Sequence, residues 1–231
     1  MNRLLVWMEP KQVGHYLQYA VPSLVVACLV VWQFATNVHE ADFRDNYIAK
    51  DYVHNLLLCL PENSLSLARG DVSSMGLNYF QAVLGKRRDL VVLDQERMTY
   101  PWYYRQMKER YPDIVFRGNG YDGVKVMNLH LISDNVDRRD VFFRDFKEDS
   151  YPKEFQAVQI GLVKKMVRRN VSYPLEKVEK RLNVLYEQFK KRGWQNDWPA
   201  TSFERVIMSA YAEPLANVAY ELSPSLIRGV L

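Results

Sequence analysis

The sequence predicts an α/β protein with one N-terminal transmembrane helix, a parallel sheet covered by helices, and a C-terminal helical region. Three observations predict it. Residues 12–38 contain no Asp, Glu, Lys or Arg. Between about residues 41 and 148, short apolar runs alternate with stretches of helical period, the signature of strands and crossover helices. Beyond residue 150, apolar residues recur mainly at helical spacing.

Residues 1–38 form a cytosolic start and a span at about 16–35, the length a helix needs to cross a hydrocarbon core. Tyr16, Tyr19 and Trp32 stand near its ends, where amphipathic rings favour the interface. Pro22 lies inside, as membrane helices tolerate when neighbours re-satisfy the freed carbonyl. A buried core helix is the competing reading. A cleaved leader fits worse, because the start is long and the apolar stretch overruns a leader's apolar region. Arg3 and Lys11 precede the span, whereas Glu40, Asp42, Arg44 and Asp45 follow it. The positive-inside rule then sends the remainder to the lumenal or extracellular side and makes the lipid bilayer a partner.

After the span, residues 42–60 keep a helical period until Pro61 ends it. Residues 64–68 alternate like a strand closed by Arg69-Gly70-Asp71, and residues 74–84 read as a helix stopped by Gly85. Residues 89–94 are an apolar run of the kind buried on both faces. Thr99 caps a helix with Pro101 in its first turn, running to about Arg110. Residues 114–116 and 141–146 are the third and fourth strand candidates. Residues 124–135 stay open, since the first half alternates and the second suits a short helix. Together residues 41–148 predict a Rossmann-like domain with a parallel sheet. In residues 150–231, Pro174 to Arg192 is the clearest helix, and 202–222 is another, kinked or split at Pro214. Residues 153–169 fit either a helical stripe or an alternating strand, with Gly161 interrupting.

Composition excludes several functions. The 31 Lys and Arg are interleaved with 27 Asp and Glu for a net charge of +4, so no face reads as a nucleic-acid stripe. Cys28 and Cys59 are the only cysteines, which rules out a disulfide framework and opposes a thiolate metal site. His15, His39, His54 and His130 share no metal-ligand spacing, so neither metal nor cofactor is expected. No nucleophile, base and acid occur in a recognisable order, and no catalytic residue is assigned.

Ligands of open α/β sheets gather beyond the carboxyl ends of the strands, where this sequence places Asp71, Asp94 and Glu96. Asp71 equally suits a helix cap. Trp102 and Tyr103 belong to an aromatic cluster at a helix start, which either stacks on sugars and acceptor peptides or packs core. Residues 118–123 match a dinucleotide-binding glycine pattern, but they follow the third strand rather than the first and read as a surface loop. Asn170-Val171-Ser172 is a glycosylation sequon, usable only on the lumenal side.

The pieces Leu60-Pro61, Arg69-Gly70-Asp71, Lys86-Arg87-Arg88-Asp89-Leu90 and Asp94-Gln95-Glu96, followed by Met98-Thr99-Tyr100-Pro101-Trp102-Tyr103, resemble the transmembrane protein 260 family. The similarity is dense from about Asn46 to Asn119. These are protein O-mannosyltransferases of the endoplasmic reticulum, with multi-span bacterial relatives. The resemblance implies a lumenal C-terminal portion whose single span corresponds to the last of many and whose final helices begin tetratricopeptide-like repeats. It implies mannose transfer from a dolichyl-phosphate carrier to Ser or Thr of a receptor domain, the acceptor partner. The family's catalytic acid lies in an early lumenal loop between membrane helices, so no residue here receives that role and the multi-span catalytic module is a missing partner. Three functions therefore compete: an acceptor-recognising domain of a mannosyltransferase, an independent enzyme on the sheet, and a membrane-tethered scaffold docking through its last helices.

Overall fold

The computed structural model describes residues 10–118, 123–144 and 151–222, and divides into two units, Met1–Asn46 and Tyr47–Leu231. The first unit is built on α1 (Pro10–Ala41), continuous through Pro22. Its stretch Leu17–Val38 has 22 residues, none buried. At about 1.5 Å per residue that is long enough to cross a hydrocarbon core. By length and composition, α1 is the one helix among the described residues able to do so. Where its apolar stretch ends, Thr36 and Asn37 return their side-chain donors to the carbonyls of Trp32 and Gln33, at 2.9 and 2.7 Å.

The second unit holds a five-stranded mixed sheet in the order β2-β1-β3-β5-β4. Its parallel core is β1 (Leu65–Ala68), flanked by β2 (Val91–Asp94) and β3 (Val141–Phe143). All eleven residues of these strands are buried, as their near-continuous apolar runs require of strands covered on both faces. Alternate side chains go to opposite layers. Leu65, Leu67, Val91, Leu93, Val141 and Phe143 face α4 (Pro101–Arg110) and α5 (Val124–Asn135). Ala68, Val92 and Phe142 face α2 (Ile48–Cys59) and α3 (Asp71–Ala82).

Several expectations are corrected. The helix foreseen from residue 42 begins at Ile48. Residues 114–116 form no strand: Ile114 and Phe116 anchor in the core, while Asn135 accepts from the Val115 N–H at 2.8 Å and donates to its carbonyl at 3.1 Å. One side-chain amide thus satisfies the backbone that a ladder would have paired. Residues 124–135, left open between strand and helix, are helix throughout. The strand expected over 141–146 ends at Phe143, and its last two residues lie outside the described ones.

Residues 153–169, left open between helix and strand, form a hairpin, β4 (Phe155–Ile160) and β5 (Val163–Arg168). It joins the sheet antiparallel to β3, so the sheet is not wholly parallel and the expected helical region opens with strands. Gly161 makes the turn possible. Its φ is +60°, and a Cβ there would stand 2.5 Å from Cys59 Sγ and 2.8 Å from Leu185 Cδ1.

The C-terminal helices are α6 (Leu175–Gln188), α7 (Phe203–Ser209) and α8 (Ala212–Leu222). The break lies at Ala210-Tyr211, and Pro214 sits in the first turn of α8, where its missing N–H has no intrahelical partner to lose. Buried polar groups of α2 fix the chain after α6. Asn55 donates to the Lys190 carbonyl at 2.8 Å and to the Tyr211 hydroxyl at 2.9 Å, and accepts from the Lys190 N–H at 2.9 Å. Asp51, almost fully buried, accepts from the Arg192 guanidinium at 2.5 Å and from its N–H at 3.0 Å.

Candidate functional site

The carboxyl ends of β1 and β2 meet in register, Ala68 opposite Asp94, and the residues after them form the candidate site. Asp94 is buried, and its oxygens are heavily engaged. Oδ1 accepts from the N–H groups of Glu96 and Arg97, both at 3.0 Å. Oδ2 accepts from Ser74 Oγ at 2.5 Å and faces Arg97 Nε at 3.2 Å. This carboxylate holds the 3-10 turn Arg97–Thr99 against α3, and four donors leave it little capacity for a sugar hydroxyl or a cation.

Tyr103 completes the same floor. Its hydroxyl accepts the Asp94 N–H at 3.2 Å, and burial pushes the phenol above its ordinary value. Beside it run two amides that the sequence did not single out. Gln95 donates to the Leu67 carbonyl at 2.9 Å and accepts from Asn128 of α5 at 3.1 Å. Their only sequence signal was the position of Gln95 between two carboxylates at a strand end.

The other expected residues stand on an exposed rim. Trp102 and Tyr100, each about half exposed at 55% and 54%, stack with centroids 6.2 Å apart at 22°. Trp102 also meets Tyr103 in a T-shaped contact, with centroids 5.6 Å apart. Glu96 holds the Arg69 guanidinium loosely at 3.4 Å. Thr99 does not cap α4: Tyr100 takes the cap position without a side-chain bond, and Thr99 Oγ1 donates to the Glu96 carbonyl at 2.7 Å.

Asp71 is exposed and does not serve as the cap of α3. Gly70, at φ +78°, occupies that position, and Asp71 is the first helical residue. There its charge faces the positive end of the helix. It also borders a largely apolar groove of about 560 Å³ between α2 and α3, lined by Val53, Met75, Tyr79 and Phe203 among others. The site thus separates the two aspartates in role, with Asp94 in the floor and Asp71 on the surface.

Of the glycine pattern at 118–123, residues 119–122 lie outside the described ones. Gly123 opens α5, but among the described residues the element before Gly118 is α4 and not a strand, so the nucleotide-binding context is missing. Among the described residues, no group of three or more His, Cys, Asp or Glu is placed to hold a metal ion.

Comparison with known proteins supplies the context. Residues 49–114, from the first turn of α2 to the start of the segment after α4, match the family model described as TMEM260-associated domain 2. The mouse protein O-mannosyl-transferase TMEM260 is 26% identical over 190 residues, covering 75% of this chain and 27% of that relative. Its Dictyostelium discoideum namesake is 25% identical over 215 residues, covering 89% of this chain and 26% of that relative. The chain therefore spans about a quarter of the length of these relatives. No solved structure matches it.

Proposed function

We propose, from the premise that the chain belongs to the transmembrane protein 260 family, that its second unit recognises the acceptor protein of an O-mannosyl transfer. In this reading α1 anchors the unit to the endoplasmic reticulum membrane with the sheet on the lumenal side. A multi-span module supplies the donor site for dolichyl-phosphate mannose and the transfer chemistry.

The observation that carries the reading is the division between floor and rim. Glycosyl transfer to a hydroxyl needs a group that takes the acceptor proton and a pocket for the lipid donor. At this edge the buried carboxylate is already engaged by four donors. What remains open to a partner is the Tyr100–Trp102 stack with Glu96 and Arg69 beside it. Stacked rings next to a carboxylate and a guanidinium offer apolar area and hydrogen-bonding groups together, the composition of a recognition surface.

The test uses the detergent-solubilised chain with dolichyl-phosphate mannose and a receptor acceptor domain. The chain alone binds the acceptor and transfers no mannose. Trp102→Ala and Glu96→Gln weaken binding, Trp102→Ala by about 5- to 30-fold, as expected for an exposed aromatic anchor, while the unfolding temperature stays put. Transfer by the chain alone would refute the division of labour. Acceptor binding indifferent to both substitutions would refute the assigned surface.

A further inference from the structure

We propose that Asn170 carries an N-linked glycan, on a turn that presents its side chain beside the outer strand of the sheet. The proposal rests on the lumenal placement proposed above, because oligosaccharide transfer to asparagine takes place on that side of the membrane.

Asn170-Val171-Ser172 is the only Asn-X-Ser/Thr tripeptide in the 231 residues. Sequons are often lost to burial or regular structure, and this one is in neither. β5 ends at Arg168, and the Val171 N–H donates back to the Arg168 carbonyl at 3.0 Å, so Arg169 and Asn170 form the corner of a tight turn. Asn170, Val171 and Ser172 are all exposed. No hydrogen bond among the described residues engages the Asn170 amide, whereas the structure uses Asn55, Asn128 and Asn135 as buried staples. The turn itself is fixed from outside the sequon. Arg169 Nε donates to the Lys153 carbonyl at 2.6 Å, and Gln156 Nε2 donates to the Val171 carbonyl at 3.0 Å. The acceptor nitrogen is therefore held at the surface by bonds that modification leaves intact.

There is also room for the attached sugar. A cleft of about 460 Å³ runs between Asn170 and β4, walled by Gln156, Gln159, Arg169 and Tyr173. Gln159 is engaged by the Gly161 and Val163 carbonyls and by Asn217, so the polar groups left toward a sugar are the Arg169 Nη groups and Gln156 Oε1. β4 is the last strand of the sheet, and a glycan there would shield an edge that otherwise invites pairing with another chain.

The reaction is a substitution without redox change. Asn170 Nδ2 forms a bond to the anomeric carbon of an oligosaccharide carried on a polyprenyl diphosphate. The anomeric carbon–oxygen bond breaks, the lipid diphosphate leaves with the electron pair, and the amide loses one proton to a base of the transferring enzyme.

The experiment is translation of the full chain in the presence of sealed microsomes, with and without an N-glycosidase. Four versions are compared: the native chain, Asn170→Gln, Ser172→Ala, and the native chain with a flexible sequon appended after Leu231. The native chain shows one glycosidase-sensitive species, both substitutions abolish it, and the appended version shows two. Modification of the appended sequon alone overturns the Asn170 site while sparing the lumenal reading. Absence of modification at both positions overturns both. A shift that persists in Asn170→Gln also overturns the assignment.

Discussion

Arg87 decides whether the end of α2 is held by its own residues or by a side chain from the loop after α3. The last carbonyls of a helix lack intrahelical partners. Here Arg87 Nη1 donates to the carbonyls of Leu57 and Leu60, and Nη2 to that of Pro61, each at 2.9 Å. The same guanidinium forks onto Asp89, with both bonds at 3.0 Å. Hydrogen bonds from a charged donor contribute about 1.5–3 kcal/mol each when buried. About a quarter of the Arg87 side chain is exposed, so water replaces part of each bond. Arg87→Ala should therefore destabilise by about 2–4 kcal/mol, a fall of about 5–15 °C in unfolding temperature for a unit of this size. Arg87→Lys should fall nearly as far, because an ammonium cannot reach three carbonyls and fork onto a carboxylate. Arg87 also sits at φ +50°, in the left-handed region. Arg87→Gly should thus stand above Arg87→Ala by about 1 kcal/mol. The assay is thermal unfolding of the detergent-solubilised chain at neutral pH, followed by tryptophan fluorescence. Arg87→Ala within about 0.5 kcal/mol of the native chain, or Arg87→Lys equal to it, would refute the reasoning.

Asp94→Asn should lower stability by about 2–3 kcal/mol, because the new amide nitrogen faces Ser74 Oγ and Arg97, which both need an acceptor; an unchanged unfolding temperature would show that the floor is not structural. His54 should make the protein acid-sensitive. Burial first, then the charges of Lys190 and Lys86, hold its folded-state pKa below 6.5. The unfolded chain then binds the proton more readily, so this contribution is complete above about 6.5 and is lost as pH falls from there through the lower folded value. Unfolding temperatures measured from pH of about 7.5 to about 5.5 should fall, and His54→Gln should flatten that part of the decline. Identical profiles for the two would exclude His54 as the source.

The sequence made the parallel core legible because residues 64–68 and 90–94 are buried on both faces and bounded by Pro61, Gly70 and Gly85. It was weakest where one pattern served two structures. Residues 114–116 look like a strand because Ile114 and Phe116 are core anchors, yet what pairs their backbone is Asn135, far along the chain. The hairpin at 155–168 was ambiguous because its apolar residues also fit a helical stripe; the turn at Gly161, where a side chain would collide with Cys59 and Leu185, decides it. At the site, Asp94 and Tyr103 were recognisable as polar groups at a strand end and a helix start. Both turn inward, Asp94 onto Ser74 and Arg97 and Tyr103 onto the Asp94 N–H, and no spacing rule announces such partners. The same holds for Asp51 and Asn55, which fall between the apolar positions of the helical period and are buried under the segment after α6.

The matched stretch 49–114 includes Arg87, Asp89, Asp94 and Tyr103, and each of them bonds to backbone or to another buried side chain. The motifs that carry the resemblance therefore include the groups that close the end of α2 and the ends of two strands. They identify a scaffold. Tyr100, Trp102 and Glu96 lie inside the same stretch, but the structure depends little on them: two rings half exposed, and a 3.4 Å ion pair in open solvent, worth at most a few tenths of a kcal/mol. A surface that contributes little to stability is free to be shaped by what it binds. Melting and acceptor binding should accordingly separate, the first responding to Asp94→Asn and the second to Trp102→Ala. If Trp102→Ala lowers the unfolding temperature as much as Asp94→Asn does, the stack is part of the scaffold, and the acceptor must be sought on another face, with the apolar groove beside Asp71 the next surface to test.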